Sequence, residues 1–117
     1  MTFSSGPATR TSHYSAKGSE LVMSGSDVRA RVMTLAPEQS IPWHYHSEVT
    51  DHYFVLKGAL TIETQNPDVT QTLAVGERHQ LDPGTRHLLS NRGSADCQFL
   101  LLQGVGRYDW IKAGAPI

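Results

Sequence analysis

His44-Tyr45-His46-Ser47-Glu48-Val49-Thr50-Asp51, continuing through His52-Tyr53-Phe54-Val55-Leu56-Lys57 to Gly58, is the stretch that decides the fold. Residues i and i+2 of a strand point to one face, so His44 and His46 project together. Two adjacent imidazoles can bind one ion without bending the backbone. Asp51 has the opposite parity, but the connection over 47–50 resets it. An antiparallel return strand then presents Asp51 to the same interior, with Lys57-Gly58 as the next tight turn.

Working outward, a second cluster follows: Gly76, then Asp82-Pro83-Gly84-Thr85-Arg86-His87, then Asn91. Pro at the second turn position and Gly at the third predict a type II turn over 82–85. His87 then opens a strand of its own. If sheet closure brings His87 opposite His44, three imidazoles and a carboxylate from separate hairpins meet. That donor set suits one divalent transition metal: iron, manganese, nickel or zinc.

The rest of the chain reads as short strands. Residues 28–35 mix β-branched and apolar side chains with two arginines at alternate positions, and 43–46 form a second strand. Further strands are predicted over 51–56, 59–64, 70–74, 78–81, 87–90 and 97–103. Turn signals recur every few residues with no helical period between them, which argues for an all-β sandwich or barrel. Residues 1–20, rich in Ser, Thr, Gly and Ala, read as a flexible arm ahead of one domain over 21–117. In that arm, Phe3, His13 and Tyr14 could lie along a partner subunit. The tail from Gly104 onward carries Arg107, Tyr108, Asp109 and Trp110 and could fold back over the barrel or onto a second subunit.

At 117 residues, the chain is long enough for a single core. A net charge of −1 offers no basic face for nucleic acid or anionic lipid. No apolar stretch is long enough to span a bilayer, and the N-terminus lacks the layout of a signal peptide. Cys97 stands alone, so no intrachain disulfide can form. A soluble cytoplasmic protein is expected.

The two clusters together resemble the motifs of the cupins, a family of small jelly-roll (double-stranded β-helix) barrels. The family's first motif runs Gly, five residues, His-x-His, three or four residues, Glu, six residues, Gly. His44, His46 and Gly58 match, Asp51 stands for the Glu, and Glu38 stands for the leading Gly. The second motif runs Gly, five residues, Pro-x-Gly, two residues, His, three residues, Asn. Gly76, Gly84, His87 and Asn91 match, with Asp82 in place of the Pro. The resemblance covers roughly 28–103. It implies that His44, His46, Asp51 and His87 are the metal ligands, and that the protein forms a homodimer. Asp is one methylene shorter than Glu, so Asp51 either draws its strand inward, reaches the metal through water, or leaves a three-His site.

Other residues have a bland and a sharp reading. Tyr53 shares the parity of Asp51 and faces the interior, either as core or as a catalytic donor to substrate. His52 should point to the other face, and His79 and His13 read as surface histidines. Glu48 reads as a solvated loop residue. Arg29 and Arg31 share one strand face, exposed by default or clamping a carboxylate if that face turns inward. Phe99 to Leu102 reads as core, Cys97 as an inert core thiol, and Gly58, Gly76, Gly84 and Asn91 as turn formers.

Cupins host many chemistries, so the fold alone does not choose one. With iron, open positions beside such a site can hold O2 and a chelating small molecule, a dioxygenase-like reaction. With manganese, nickel or zinc, Lewis-acid isomerase or lyase chemistry is the alternative. A non-catalytic small-molecule or metal-binding module is the third reading. The scarcity of a free general acid or base favours the first.

Overall fold

The computed structural model describes residues 9–10 and 14–114. Among them, the chain forms twelve strands. These are β1 (Thr9–Arg10), β2 (Ser15–Ala16), β3 (Gly18–Ser24), β4 (Val28–Leu35), β5 (Ser40–Tyr45) and β6 (Thr50–Lys57). There follow β7 (Ala59–Thr64), β8 (Val69–Ala74), β9 (Arg78–Leu81), β10 (His87–Ser90), β11 (Cys97–Gly104) and β12 (Ile111–Lys112). Two five-stranded sheets, ordered β12-β5-β10-β7-β8 and β3-β4-β11-β6-β9, face each other, and β1 pairs with β2. Every pairing is antiparallel. This is the jelly-roll, double-stranded β-helix barrel expected. No helix among the described residues is long and apolar enough to cross a membrane.

The period-two pattern explains the core. Along β11, Cys97, Phe99, Leu101 and Gln103 are buried and their neighbours are half-buried. Phe99 packs with Tyr53, Met33, Leu35, Leu60 and Ile62 between the sheets, each such side chain contributing about 1.5–3 kcal/mol by leaving water. The reading of Phe99 to Leu102 as continuous core needs correction. Alternation sends Leu100 and Leu102 to the outer face, beside Met23, Val28 and Leu56, which are exposed. Burial pushes the Cys97 thiol up to about 12, which keeps it protonated and inert.

Strand structure also begins earlier than the polar texture of 1–20 leads one to expect. β3 pairs with β4, placing Ser19 opposite Met33 and Leu21 opposite Arg31, and Ala16 is fully buried. An edge strand is held by backbone hydrogen bonds, so it needs few apolar side chains of its own. Residues 1–8 and 11–13, with Phe3 and His13, lie outside the described residues. At the other end, the tail folds back over the barrel: Ile111 and Lys112 pair with Tyr45 and His44.

Two turns fix the frame of the site. Gly84 has φ +83° and Thr85 N–H donates to the Asp82 carbonyl at 3.2 Å, the type II turn expected. Glu38, where the motif would place Gly, adopts φ +70° in the turn closed by Gln39 N–H on the Ala36 carbonyl at 3.0 Å. The backbone thus keeps a left-handed residue while the sequence supplies a Cβ. Glu38→Gly is expected to stabilise the protein by about 0.5–1 kcal/mol, the steric relief exceeding the extra chain entropy. A higher urea midpoint at unchanged m-value is the readout.

Asn91 ties the same region together. Its side-chain amide donates to the carbonyls of Leu35 and Ala95, both at 2.9 Å, and its Oδ1 accepts from Gly93 N–H. It is fully buried and structural in role.

Candidate metal centre

β5 and β10 lie side by side with His44 and His87 as register partners. His46 follows directly after β5, and its carbonyl accepts from Gly84 N–H at 2.7 Å, which locks the second cluster's turn onto the first cluster. All three imidazoles are buried, and one ring nitrogen from each lies within 4.8 Å of the others. His44 Nδ1 meets the Pro42 carbonyl at 2.7 Å, His87 Nδ1 the Thr85 carbonyl at 2.7 Å, and His46 Nδ1 the Asp109 carbonyl at 2.5 Å. A carbonyl can only accept, so each Nδ1 carries the proton and each Nε2 presents its lone pair. Nε2 of His46 and of His87 has no hydrogen-bond partner although it is buried.

Asp51 comes from β6 on the opposing sheet. Its Oδ2 lies 3.3 Å from Nε2 of His46 and 3.3 Å from Nε2 of His87. Tyr53 Oη donates to the same Oδ2 at 2.6 Å, and Gln103 Nε2 donates to Oδ1 at 3.0 Å. Arg29 Nε in turn donates to Gln103 Oε1 at 2.9 Å. The carboxylate is therefore oriented from behind, as metal-ligating groups usually are. Metal–nitrogen bonds of about 2.0–2.1 Å place neighbouring donors about 3–3.4 Å apart, and the 3.3 Å separations match. Nitrogen lone pairs and a carboxylate oxygen converging in a dry interior repel one another unless a cation lies between them. His44, His46, His87 and Asp51 are close enough to bind one metal ion.

The electrostatics agree. Burial, then the nearby His87, lowers His44 to about 3, so it remains a neutral donor. Burial also acts to lower His46, but the Asp51 carboxylate 3.3 Å from its Nε2 outweighs burial and raises His46. Burial alone would raise Asp51, yet His46 and His87 hold its carboxyl well below the usual range.

A cavity of about 230 Å³ opens onto this cluster, with Met33, Ile41, Leu89 and Leu101 on its apolar side. Tyr53, read as core or as a donor to substrate, is fully buried and gives its hydroxyl to Asp51. Burial and the Asp51 charge raise its phenol well above the usual value. Among the other readings, His52 points outward, His79 accepts from Gln71 Nε2 at 2.9 Å, and exposed Glu48 pairs with Arg107 at 3.5 Å.

Sequence reasoning missed the partners of the ligand set. Gln103 was legible as the one polar residue on the inward parity of β11. Trp110 stacks on His44 at 4.7 Å, and Tyr108 lies 5.4 Å from His46. Asp109 holds the His46 loop, its carboxylate accepting from Ser47 N–H at 2.8 Å and from the Ser47 hydroxyl. No local signal ties this tail to the histidines, because the contacts span about sixty residues.

The cupin-domain family profile (Cupin_2) matches residues 31–103. No curated protein sequence matches significantly. Among solved structures, the chain is similar to an uncharacterized conserved protein with a double-stranded beta-helix domain from Klebsiella pneumoniae. The TM-score is 0.74 at 22% identity, covering 97% of this chain and 90% of that one. An oxalate oxidase matches with TM-score 0.67 and 20% identity over 74% of this chain and 46% of its own, so the chain spans under half of it. A cupin-2 domain containing protein from Shewanella frigidimarina matches with TM-score 0.62 and 18% identity, over 76% of this chain and 79% of that one. At such identities, these likenesses bear on the fold alone.

Proposed function

The chain belongs to the cupin family, and from that premise we propose that it is a metal-dependent enzyme acting on a small polar organic molecule, most readily as a dioxygenase. The observation that carries the reading is the pair of buried Nε2 atoms on His46 and His87 without hydrogen-bond partners beside Asp51, in a cluster whose His44, His46 and Asp51 line a cavity. A metal held by these four donors would be reachable from the cavity, as a catalytic site requires and a closed structural site does not.

A divalent metal held there supplies either O2 activation or Lewis-acid polarisation of a bound oxygen donor. The protein's share is positional. His44, His46 and His87 would hold the metal through Nε2 while the carbonyls of Pro42, Asp109 and Thr85 fix the rings. Tyr53 and Gln103 aim the Asp51 carboxylate, and Met33, Ile41, Leu89 and Leu101 give the cavity one apolar side. Burial raises Tyr14 to about 12 and also raises Tyr108, so both line the cavity as proton donors, not bases. Apart from the ligand set itself, the described residues lining the cavity offer no group suited to abstracting a proton at neutral pH, which favours oxidative chemistry over isomerisation or elimination.

The test is elemental analysis of freshly purified, untagged protein beside a His44→Ala/His87→Ala double variant. Near-stoichiometric iron, absent from the variant, together with substrate-dependent oxygen uptake is the expected result. Manganese, nickel or zinc without oxygen uptake would move the assignment to isomerase or lyase. A wild type as empty as the variant after reconstitution would leave a binding module.

A further inference from the structure

Taking its location from the reading above, we propose that the cavity selects small organic carboxylates, with Arg31 as the residue that binds the carboxylate. Arg29 and Arg31 stand two apart on β4 and line the same cavity as His44, His46 and Asp51. Both are half-buried, and a guanidinium drawn out of water needs a compensating anion or acceptors. Among the described residues, the ion pairs of lysine and arginine involve Lys17, Arg92 and Arg107, not these two.

The two arginines are not equivalent. Arg29 is engaged: its Nε donates to Gln103, and its guanidinium lies 3.3 Å from the centre of the Tyr108 ring. It supports the chain of hydrogen bonds that orients Asp51. Arg31 is held at one corner only, Nη1 donating to Ser19 Oγ at 3.0 Å. Its Nε is buried and has no hydrogen-bond partner. A guanidinium anchored at one nitrogen with a free Nε–H has half of the planar fork that grips both oxygens of a carboxylate.

Charge and shape point the same way. Two guanidiniums against the single carboxylate of Asp51 leave the cavity lining electropositive, and a divalent cation would add to that. The apolar side formed by Met33, Ile41, Leu89 and Leu101 suits a short hydrocarbon body. An inorganic oxyanion would answer the charge but leave that wall uncovered, whereas an organic acid satisfies both.

The test is calorimetric titration with two matched pairs, benzoate against benzamide and propionate against propionamide, with inorganic phosphate as a third probe. Wild type and Arg31→Gln are each titrated metal-free and after zinc reconstitution, with metal counted on the same samples. The acids should bind metal-free wild type at least tenfold more tightly than the amides and more tightly than phosphate. Arg31→Gln should weaken the acids at least tenfold while leaving amide binding and metal content unchanged. Arg31→Lys, which retains charge without the fork, should fall between them and stands in if the Gln variant does not fold. Equal binding of acid and amide, preference for phosphate, or undiminished acid binding by the folded variants would overturn the proposal. A wild type that takes up no zinc but still prefers the acids would support it while overturning the metal reading.

Discussion

His87→Ala is expected to leave purification without bound metal, with affinity on reconstitution reduced by more than about 100-fold, beyond the range typical of outer-shell changes. The register pairing of His87 with His44 makes it one of three convergent Nε2 donors, and no neighbouring histidine is placed to substitute. Asp51→Ala is expected to lose less, roughly 10–100-fold. Three imidazoles alone can hold a divalent ion, and Asp51 adds charge and one oxygen at 3.3 Å from two of them. Equal metal loss in the two variants would show that the carboxylate is as essential as an imidazole. In the wild type, affinity should fall as pH is lowered. His46 is raised by Asp51, so it protonates before His44, which burial keeps neutral to about 3. Metal titrations at several pH values, each variant checked by circular dichroism, read all of this directly.

Gly58→Ala is expected to destabilise the protein severely. Gly58 sits at φ +72°, and a Cβ there would lie 2.4 Å from the Asp96 carbonyl oxygen and 3.1 Å from Cys97 Cα. Both obstacles are backbone, so relief requires shifting the start of β11, the strand that pairs with both β4 and β6. The left-handed conformation costs about 1–2 kcal/mol for any Cβ, and overpacking adds about 1–3. Against a total stability of about 5–15 kcal/mol, that loss is severe. Gly84→Ala is the control, since φ is +83° but nothing lies within 4 Å of its Cβ. Urea unfolding of the two variants separates the terms. A Gly58→Ala midpoint no lower than that of Gly84→Ala would mean that β11 adjusts freely at Asp96.

Much of this architecture was legible along the chain. The apolar strand over 97–103, the Asp82-Pro83-Gly84-Thr85 turn and the His44/His46 spacing are local patterns, and short-range geometry converts them directly into structure, although which residues of that strand face inward was not legible in its run of leucines. Asp51 and Tyr53 fall on one inward face because a strand has period two. Where local texture misled, the cause was pairing: Gly18, Ser19 and Glu20, at the end of the stretch read as an arm, join the barrel through backbone hydrogen bonds to which composition is blind.

The sequence by itself determined the strands, the turns and the His44/His46 pair, which depend on spacing along one strand or within one turn, and its resemblance to the cupin motifs named His87 and Asp51 as the other two ligands. Only the tertiary structure decided what surrounds them. Gln103 beneath Asp51, Trp110 over His44, the Asp109 carbonyl on His46 and the unsatisfied Nε of Arg31 all arise where two sheets and a returning tail close on one another. Such long-range packing is selected by the summed burial of the whole core, which no local pattern encodes.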